Sequence, residues 1–273
     1  MAANQLFTTL NNGVIMPLLG LGVYDVYGRE AEQAIGYALE TGYRLIDTAA
    51  MYRNEVEVGN AIRAGRIPRH ELFVTTKVDN ADQGYDTTLR AFDQSLKALS
   101  CDYVDLYLIH WPLKSSRKQT WNALEKLYAE GRVRAVGVAN YLLPFLKELA
   151  GHATLVPAVN QIEFSPYLFL EEELTYCQTN HIVLQAYSPL IRGRRFDDPK
   201  LRQLAEQYGK TPAQILLRWA LQLGVSTIPK SATPSRIREN FDVFDFSISA
   251  DDMVRLRDFH ENFRVVEDPI ELL

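Results

Sequence analysis

Val104-Asp105-Leu106-Tyr107-Leu108-Ile109-His110 decides the fold, because apolar and aromatic side chains fill four consecutive positions from Leu106 to Ile109. A strand exposed on one face alternates apolar with polar, whereas a strand covered on both faces does not. The run then stops on an ionisable residue. Leu72-Phe73-Val74-Thr75-Thr76-Lys77 and Arg44-Leu45-Ile46-Asp47 follow the same pattern upstream. Working outward, strands are predicted at 18–22, 43–47, 72–78, 104–110, 133–139, 158–163, 182–188 and 226–230, each followed by a helical pattern or a loop leading to one. Eight such units favour a closed α/β fold, the (β/α)8 TIM barrel, with a doubly wound open sheet as the alternative. A β-hairpin precedes them: residues 5–10, the turn Asn11-Asn12-Gly13, then residues 14–16.

Composition agrees with a self-sufficient core. The chain has 273 residues, 47% hydrophobic and 23% charged, which excludes a disordered polymer. A net charge of −5 with interspersed signs gives no basic face for nucleic acid or an anionic membrane surface. No linker or low-complexity tract divides residues 1–273, so a single domain is expected. MAANQLFTTL lacks a secretory pattern and no stretch is long enough to span a bilayer, so a cytoplasmic location is expected. Cys101 and Cys177 form no C-x-x-C or metal pattern and read as packing residues in a reducing compartment.

Barrel sites form at the C-terminal ends of the strands. There the sequence offers Asp47, Lys77 and His110 at three strand ends, with Tyr52 in the loop after Asp47. Taken singly, each has an ordinary structural use: an aspartate caps, a tyrosine packs, a lysine lays its stem on apolar surface, a histidine bonds to backbone. Together they make a chemical set. Reduction of a carbonyl requires a proton donor for the developing alkoxide, and a tyrosine can serve if a neighbouring cation lowers its pKa. Lys77 is expected to supply that charge, with Asp47 holding it.

The stretch from Gly42 through Asp47 and Tyr52 to Glu55 resembles a signature of the aldo-keto reductases, the microbial aldehyde and diketogluconate reductase-like branch in particular. Asp102 to Pro112, and Ile228-Pro229-Lys230-Ser231 with Arg236-Ile237-Arg238-Glu239-Asn240, resemble two further signatures of that family, and the similarity covers nearly the whole chain. The resemblance implies an NADPH-dependent reductase of aldehydes or ketones, with NADH as an alternative cofactor, a small-molecule carbonyl substrate and a monomeric chain. It implies that Tyr52 is the general acid, tuned by Lys77 and Asp47, and that His110 orients the carbonyl or shares the proton relay. Asn140 and Gln161 then hold the nicotinamide carboxamide and Tyr187 stacks on the ring. Lys230, Ser231 and Arg236 meet the adenosine phosphate, Glu239 and Asn240 the adenine. Gly22, Val23, Ser188, Leu190 and Thr233 complete the cofactor contacts, and Tyr24, Asp79 and Trp111 line the substrate mouth. Thr233 with Pro234 also reads as a helix start, which brings a positive helix end to the same phosphates.

Three positions depart from that family pattern: Asp79 stands where tryptophan is common, Ala139 where serine is usual, and Ile191 where glycine is customary. Gly20-Leu21-Gly22-Val23-Tyr24-Asp25 lacks the third glycine of a Rossmann turn, so the barrel itself has to bind the nucleotide. Two other readings stay open at this stage: a Schiff-base lyase using Lys77 as nucleophile, and a non-catalytic protein that binds the cofactor.

Overall fold

The computed structural model of the chain describes residues 6–272. β1 (Phe7–Thr9) and β2 (Ile15–Pro17) form the expected antiparallel hairpin. It turns at Gly13, whose φ of 84° is a conformation that disfavours side chains. The predicted start at Gln5 lies outside the described residues.

Eight parallel strands follow in chain order around one sheet: β3 (Leu21–Gly22), β4 (Leu45–Asp47), β5 (Phe73–Val78), β6 (Val104–Ile109), β7 (Val133–Ala139), β8 (Val159–Glu163), β9 (Val183–Tyr187) and β10 (Ser226–Thr227). The sheet closes on itself through the bridges Leu19 to Thr227 and Gly22 to Lys230, so the expected barrel is the fold. The two seam strands are shorter than the predicted 18–22 and 226–230: Pro229 has no N–H with which to continue β10, and Leu19 pairs across the seam only through an isolated bridge.

The helices cover the outside: α1 (Gly28–Thr41), α2 (Glu55–Ala64), α3 (Tyr85–Leu99), α4 (Arg117–Ala129), α5 (Leu143–Ala150), α6 (Glu171–Thr179), α7 (Pro199–Tyr208), α8 (Pro212–Gln222), α9 (Pro234–Phe241) and α10 (Ala250–Arg257). None is long and apolar enough to cross a membrane.

The continuous apolar runs divide between two cores because successive strand residues face opposite sides. Leu45, Phe73, Leu106, Leu108, Ala135 and Val159 fill the barrel interior, and Leu10 and Met16 of the hairpin plug its N-terminal end. Ile46, Val74, Tyr107 and Ile109 instead pack outward against helix residues such as Ile35, Phe92, Trp121 and Leu217. Inside, the strands become polar toward their C-terminal ends: Leu45 gives way to Asp47, Phe73 to Thr75 and Lys77, Val159 to Gln161 and Glu163. The apolar floor thus leaves a polar ceiling.

The seam depends on close backbone approach. A Cβ on Gly22 would stand 2.8 Å from the carbonyl oxygen of Ile228, so only glycine fits without a shift. Gly22→Ala is expected to lower unfolding free energy by about 1–3 kcal/mol, as overpacking does. Urea midpoints measure this, and an unchanged midpoint would mean that the seam has slack.

Candidate active site

Lys77 is the centre of the ceiling. Its side chain is fully buried, so its ammonium needs protein acceptors. Nζ donates to Asp47 Oδ1 at 2.6 Å, to the Thr48 carbonyl at 2.9 Å and to the Tyr52 hydroxyl at 3.4 Å, which uses all three hydrogens. Tyr52 closes a 3-10 turn, Ala50–Tyr52, ended by Arg53 in the left-handed region. Its ring is half-buried, edge-on to Tyr24 at 5.1 Å and to His110 at 5.5 Å between centroids.

The residues between Asp47 and Glu55 hold this turn. Thr48 Oγ1 donates to Asn54 Oδ1 at 2.6 Å, and Asn54 Nδ2 donates to the carbonyls of Val23 and Val26. The loops after β3 and β4 are thereby tied together. Glu55 is buried against the outside of the barrel, where it accepts from Thr76 Oγ1 and Ser95 Oγ. Sequence reasoning did not single out Thr48, Asn54 or Glu55; much of this motif is scaffold for Tyr52.

A model of the aldo/keto reductase family matches residues 19–261. The chain belongs to the aldo/keto reductase family. It is 51% identical over 265 residues to a glyoxal reductase of Bacillus subtilis, covering 97% of this chain and 96% of that protein. An aldo-keto reductase from a Medee basin deep-sea metagenome library superposes with a TM-score of 0.93 at 43% identity, covering 96% of this chain and 97% of that one. A Bombyx mori aldo-keto reductase solved in complex with NADP gives a TM-score of 0.90 at 35% identity, covering 96% and 95%.

The electrostatics of this reductase correct one expectation. Burial pushes the Tyr52 hydroxyl well above the usual phenol range, and the Asp47 carboxylate pushes it the same way. The Lys77 ammonium, itself matched by a carboxylate 2.6 Å away, does not outweigh that burial. Tyr52 therefore keeps its proton in the resting site. Burial also pushes the Asp47 carboxyl up and the Lys77 ammonium down, and their contact opposes both shifts. His110 follows β6 directly; burial and then the Lys77 charge hold its imidazole well below the ordinary range, so it is neutral at pH 7. Its Nδ1 has no hydrogen-bond partner among the described residues.

The amides expected around a nicotinamide converge here. Asn140, at φ 65°, donates through Nδ2 to the His110 carbonyl at 2.8 Å and accepts from the Tyr187 hydroxyl at 2.8 Å. Gln161 donates to Asp47 Oδ2 at 2.7 Å. Ser188 is left-handed at φ 47° and Leu190 is half-buried in the loop that follows β9. Ile191 retains the positive φ, 54°, that a glycine would adopt, although its β-branched side chain is buried. Ala139 lies in the inner core.

At the seam, Val23 is buried and its N–H donates to the Asp47 carbonyl. Lys230 and Arg236 are exposed and form no ion pair among the described residues; Ser231 is buried and its Oγ accepts from Thr233 N. Thr233 is the N-cap of α9 and Pro234 its first residue, but the Thr233 side chain makes no capping bond, so the first-turn amides stay open. Unpaired cations beside open helix amides suit a phosphate. These residues fit a dinucleotide phosphate. Asn240 is buried, whereas Glu239 already accepts from Thr211 Oγ1 at 2.7 Å and so has one oxygen committed to helix packing.

At the mouth Tyr24 is exposed and Trp111 half-buried. Asp79 is half-buried, and its carboxylate caps the 3-10 turn Asn80–Asp82 by accepting from Ala81 N. Sequence reasoning missed the C-terminal segment. Glu163, inward at the end of β8, accepts from Val265 N at 2.7 Å and Val266 N at 3.1 Å, and Arg117 donates to the carbonyls of both Pro112 and Leu272. The segment therefore runs from the Glu163 side to the loop that carries Trp111. The thiol of Cys101 is half-buried and that of Cys177 buried; both are free, and burial pushes Cys177 to about 12, in keeping with packing.

The depressed His110 pKa has a sign that can be tested. An unfolded histidine takes up a proton near pH 6.5, whereas the folded one resists it. Stability from this group is fully present above that value and is lost progressively as the pH falls toward the depressed folded pKa. His110→Gln is expected to flatten the dependence of the urea midpoint between pH 7 and 5; an equal slope in both proteins would contradict the assignment.

Proposed function

We propose that this reductase uses NADPH to reduce an aldehyde or ketone, with Tyr52 as proton donor to the carbonyl oxygen. The observation that supports this most is the phenol of Tyr52 set 3.4 Å from a buried, ion-paired ammonium at the barrel mouth, where burial favours its protonated form. When bound, NADPH supplies the hydride that reaches the carbonyl carbon. Tyr52 gives its proton to the oxygen as negative charge develops there, and Lys77 stabilises the phenolate left behind. Asp47 keeps Lys77 charged and aimed. His110, neutral and beside the Tyr52 ring, orients the carbonyl. Asn140 and Gln161 hold the carboxamide, and Tyr187 forms the wall behind the ring.

Lys230 and Arg236, unpaired next to the open amides of α9, favour the phosphorylated cofactor over NADH. The NADP complex of the Bombyx mori relative supports the same choice. The glyoxal reductase relative makes small dicarbonyls the first substrates to try. A Schiff-base role for Lys77 has less support, since all three of its hydrogens are engaged and its charge is matched by Asp47.

Tyr52→Phe is expected to lower turnover by about 10²-fold or more while NADPH binds nearly as before. Rates across glyoxal, aldehydes and ketones together with a cofactor titration test this, and retained turnover removes Tyr52 from the role. Replacing both Lys230 and Arg236 by alanine should erase most of the preference for NADPH over NADH, and the wild-type preference should weaken with salt. Equal affinities for the two cofactors at low salt in the wild type would show that these cations face elsewhere.

A further inference from the structure

We infer that Gln185, buried in the middle of β9, is a positioning residue that, together with Asp47, holds the Gln161 amide with its oxygen toward the cofactor. The inference rests on the reading of Gln161 as a carboxamide contact. Gln161 Nε2 donates at 2.7 Å to Asp47 Oδ2 and at 2.7 Å to Gln185 Oε1, while Gln185 Nε2 donates at 3.0 Å to Ser226 Oγ. Gln185 and Ser226 have no solvent exposure, and Gln161 has 2%. Water therefore cannot replace a missing partner in this row.

The row has a direction. An ionised carboxylate only accepts, so the Gln161 atom that faces Asp47 has to be the nitrogen. Its second hydrogen then needs an acceptor, which Gln185 provides by presenting its oxygen. The Gln185 nitrogen is left for the Ser226 hydroxyl. Orientation thus passes from Asp47 through Gln161 to Gln185 and Ser226. Both hydrogens of Gln161 are spent, and Gln161 Oε1 takes no hydrogen bond from the described residues while not being fully occluded. It is an open acceptor on a rigidly held amide.

The ligand group this atom suits is a donor, and the NH2 of a nicotinamide carboxamide is one. Without Gln185, one hydrogen of Gln161 loses its partner and the amide hangs on Asp47 alone, which sets the atom but not the tilt of the amide, so the acceptor is no longer aimed. Among the described residues the Gln185 side chain hydrogen-bonds to Gln161 and Ser226 and not to Lys77 or Tyr52, so it acts on the site through Gln161.

The test compares equilibrium binding of NADPH with that of its 3-acetylpyridine analogue, in which a methyl replaces the NH2 and nothing remains for Gln161 Oε1 to accept. Wild type is expected to bind NADPH about 10-fold more tightly than the analogue. In Gln185→Leu that ratio should fall toward one, with NADPH weakened and the analogue little changed. Gln185→Glu should keep the wild-type ratio, since a carboxyl buried there takes up a proton and then accepts from Gln161 and donates to Ser226 as the amide does. If thermal melting shows Gln185→Leu to be unfolded, Gln185→Met, close in shape, takes its place. A folded Leu or Met variant with the wild-type ratio overturns the inference, as does loss of the ratio in a folded Gln185→Glu. Gln161→Ala separates the two levels: if it loses discrimination while Gln185→Leu keeps it, only the role of Gln185 fails. If Gln161→Ala itself binds NADPH with wild-type affinity and ratio, the carboxamide reading fails and the inference falls with it.

Discussion

A lysine ammonium with no solvent exposure has to find its acceptors inside the protein, and the ceiling of this barrel is arranged around that need. Lys77 takes one carboxylate, one backbone carbonyl and one phenol, and these come from β4 and the turn that follows it. The position of Tyr52 is in this sense a consequence of where Lys77 points. Removing either charge of the pair would leave the other buried and unmatched, a larger penalty than the attraction between them is worth. The same enclosure keeps the phenol protonated, so the group nearest the cation enters the reaction as a donor.

The fold makes the arrangement possible by separating two jobs along each strand. Apolar residues low in the barrel, such as Leu45, Phe73 and Leu106, supply a packed floor, and the next inward positions are free to be polar. Polar residues at that level bond sideways to one another, from Lys77 to Asp47, Gln161, Gln185 and Ser226, so the ceiling is as tightly specified as the floor. Networks of this kind are stable only when complete. The loops above them need less: Asn54 ties two of them together, and Glu163 holds the C-terminal segment by two amides.

The parts legible in the sequence were those that break an apolar run. Asp47, Lys77 and His110 each end one, and their spacing along the chain matched the strand rhythm, so both barrel and catalytic candidates could be read together. Tyr52 needed the chemical argument, and the amides, Tyr187 and the nucleotide residues needed the family resemblance. Gln185 went unread because a single glutamine inside Val183-Leu184-Gln185-Ala186-Tyr187 has no periodic signature; only the facing strand shows what it bonds to. The expectation that Lys77 lowers the Tyr52 pKa left out burial, which no residue pattern along the chain displays and which outweighs a cation already paired with a carboxylate. Short seam strands and the C-terminal segment were invisible for a different reason: they depend on contacts between residues about 100 or more apart, such as Glu163 with Val265 and Leu19 with Thr227.

The central claim is that Asp47 keeps Lys77 charged so that Tyr52 can give up its proton. The pH–rate profile of Asp47→Asn tests it most directly. Turnover should fall by about 10²-fold near neutral pH. Its decline at high pH should also begin at a lower pH than in the wild type, because the ammonium has lost the anion that opposed its loss of a proton. A basic limb at the wild-type position, with turnover little changed, would contradict the account.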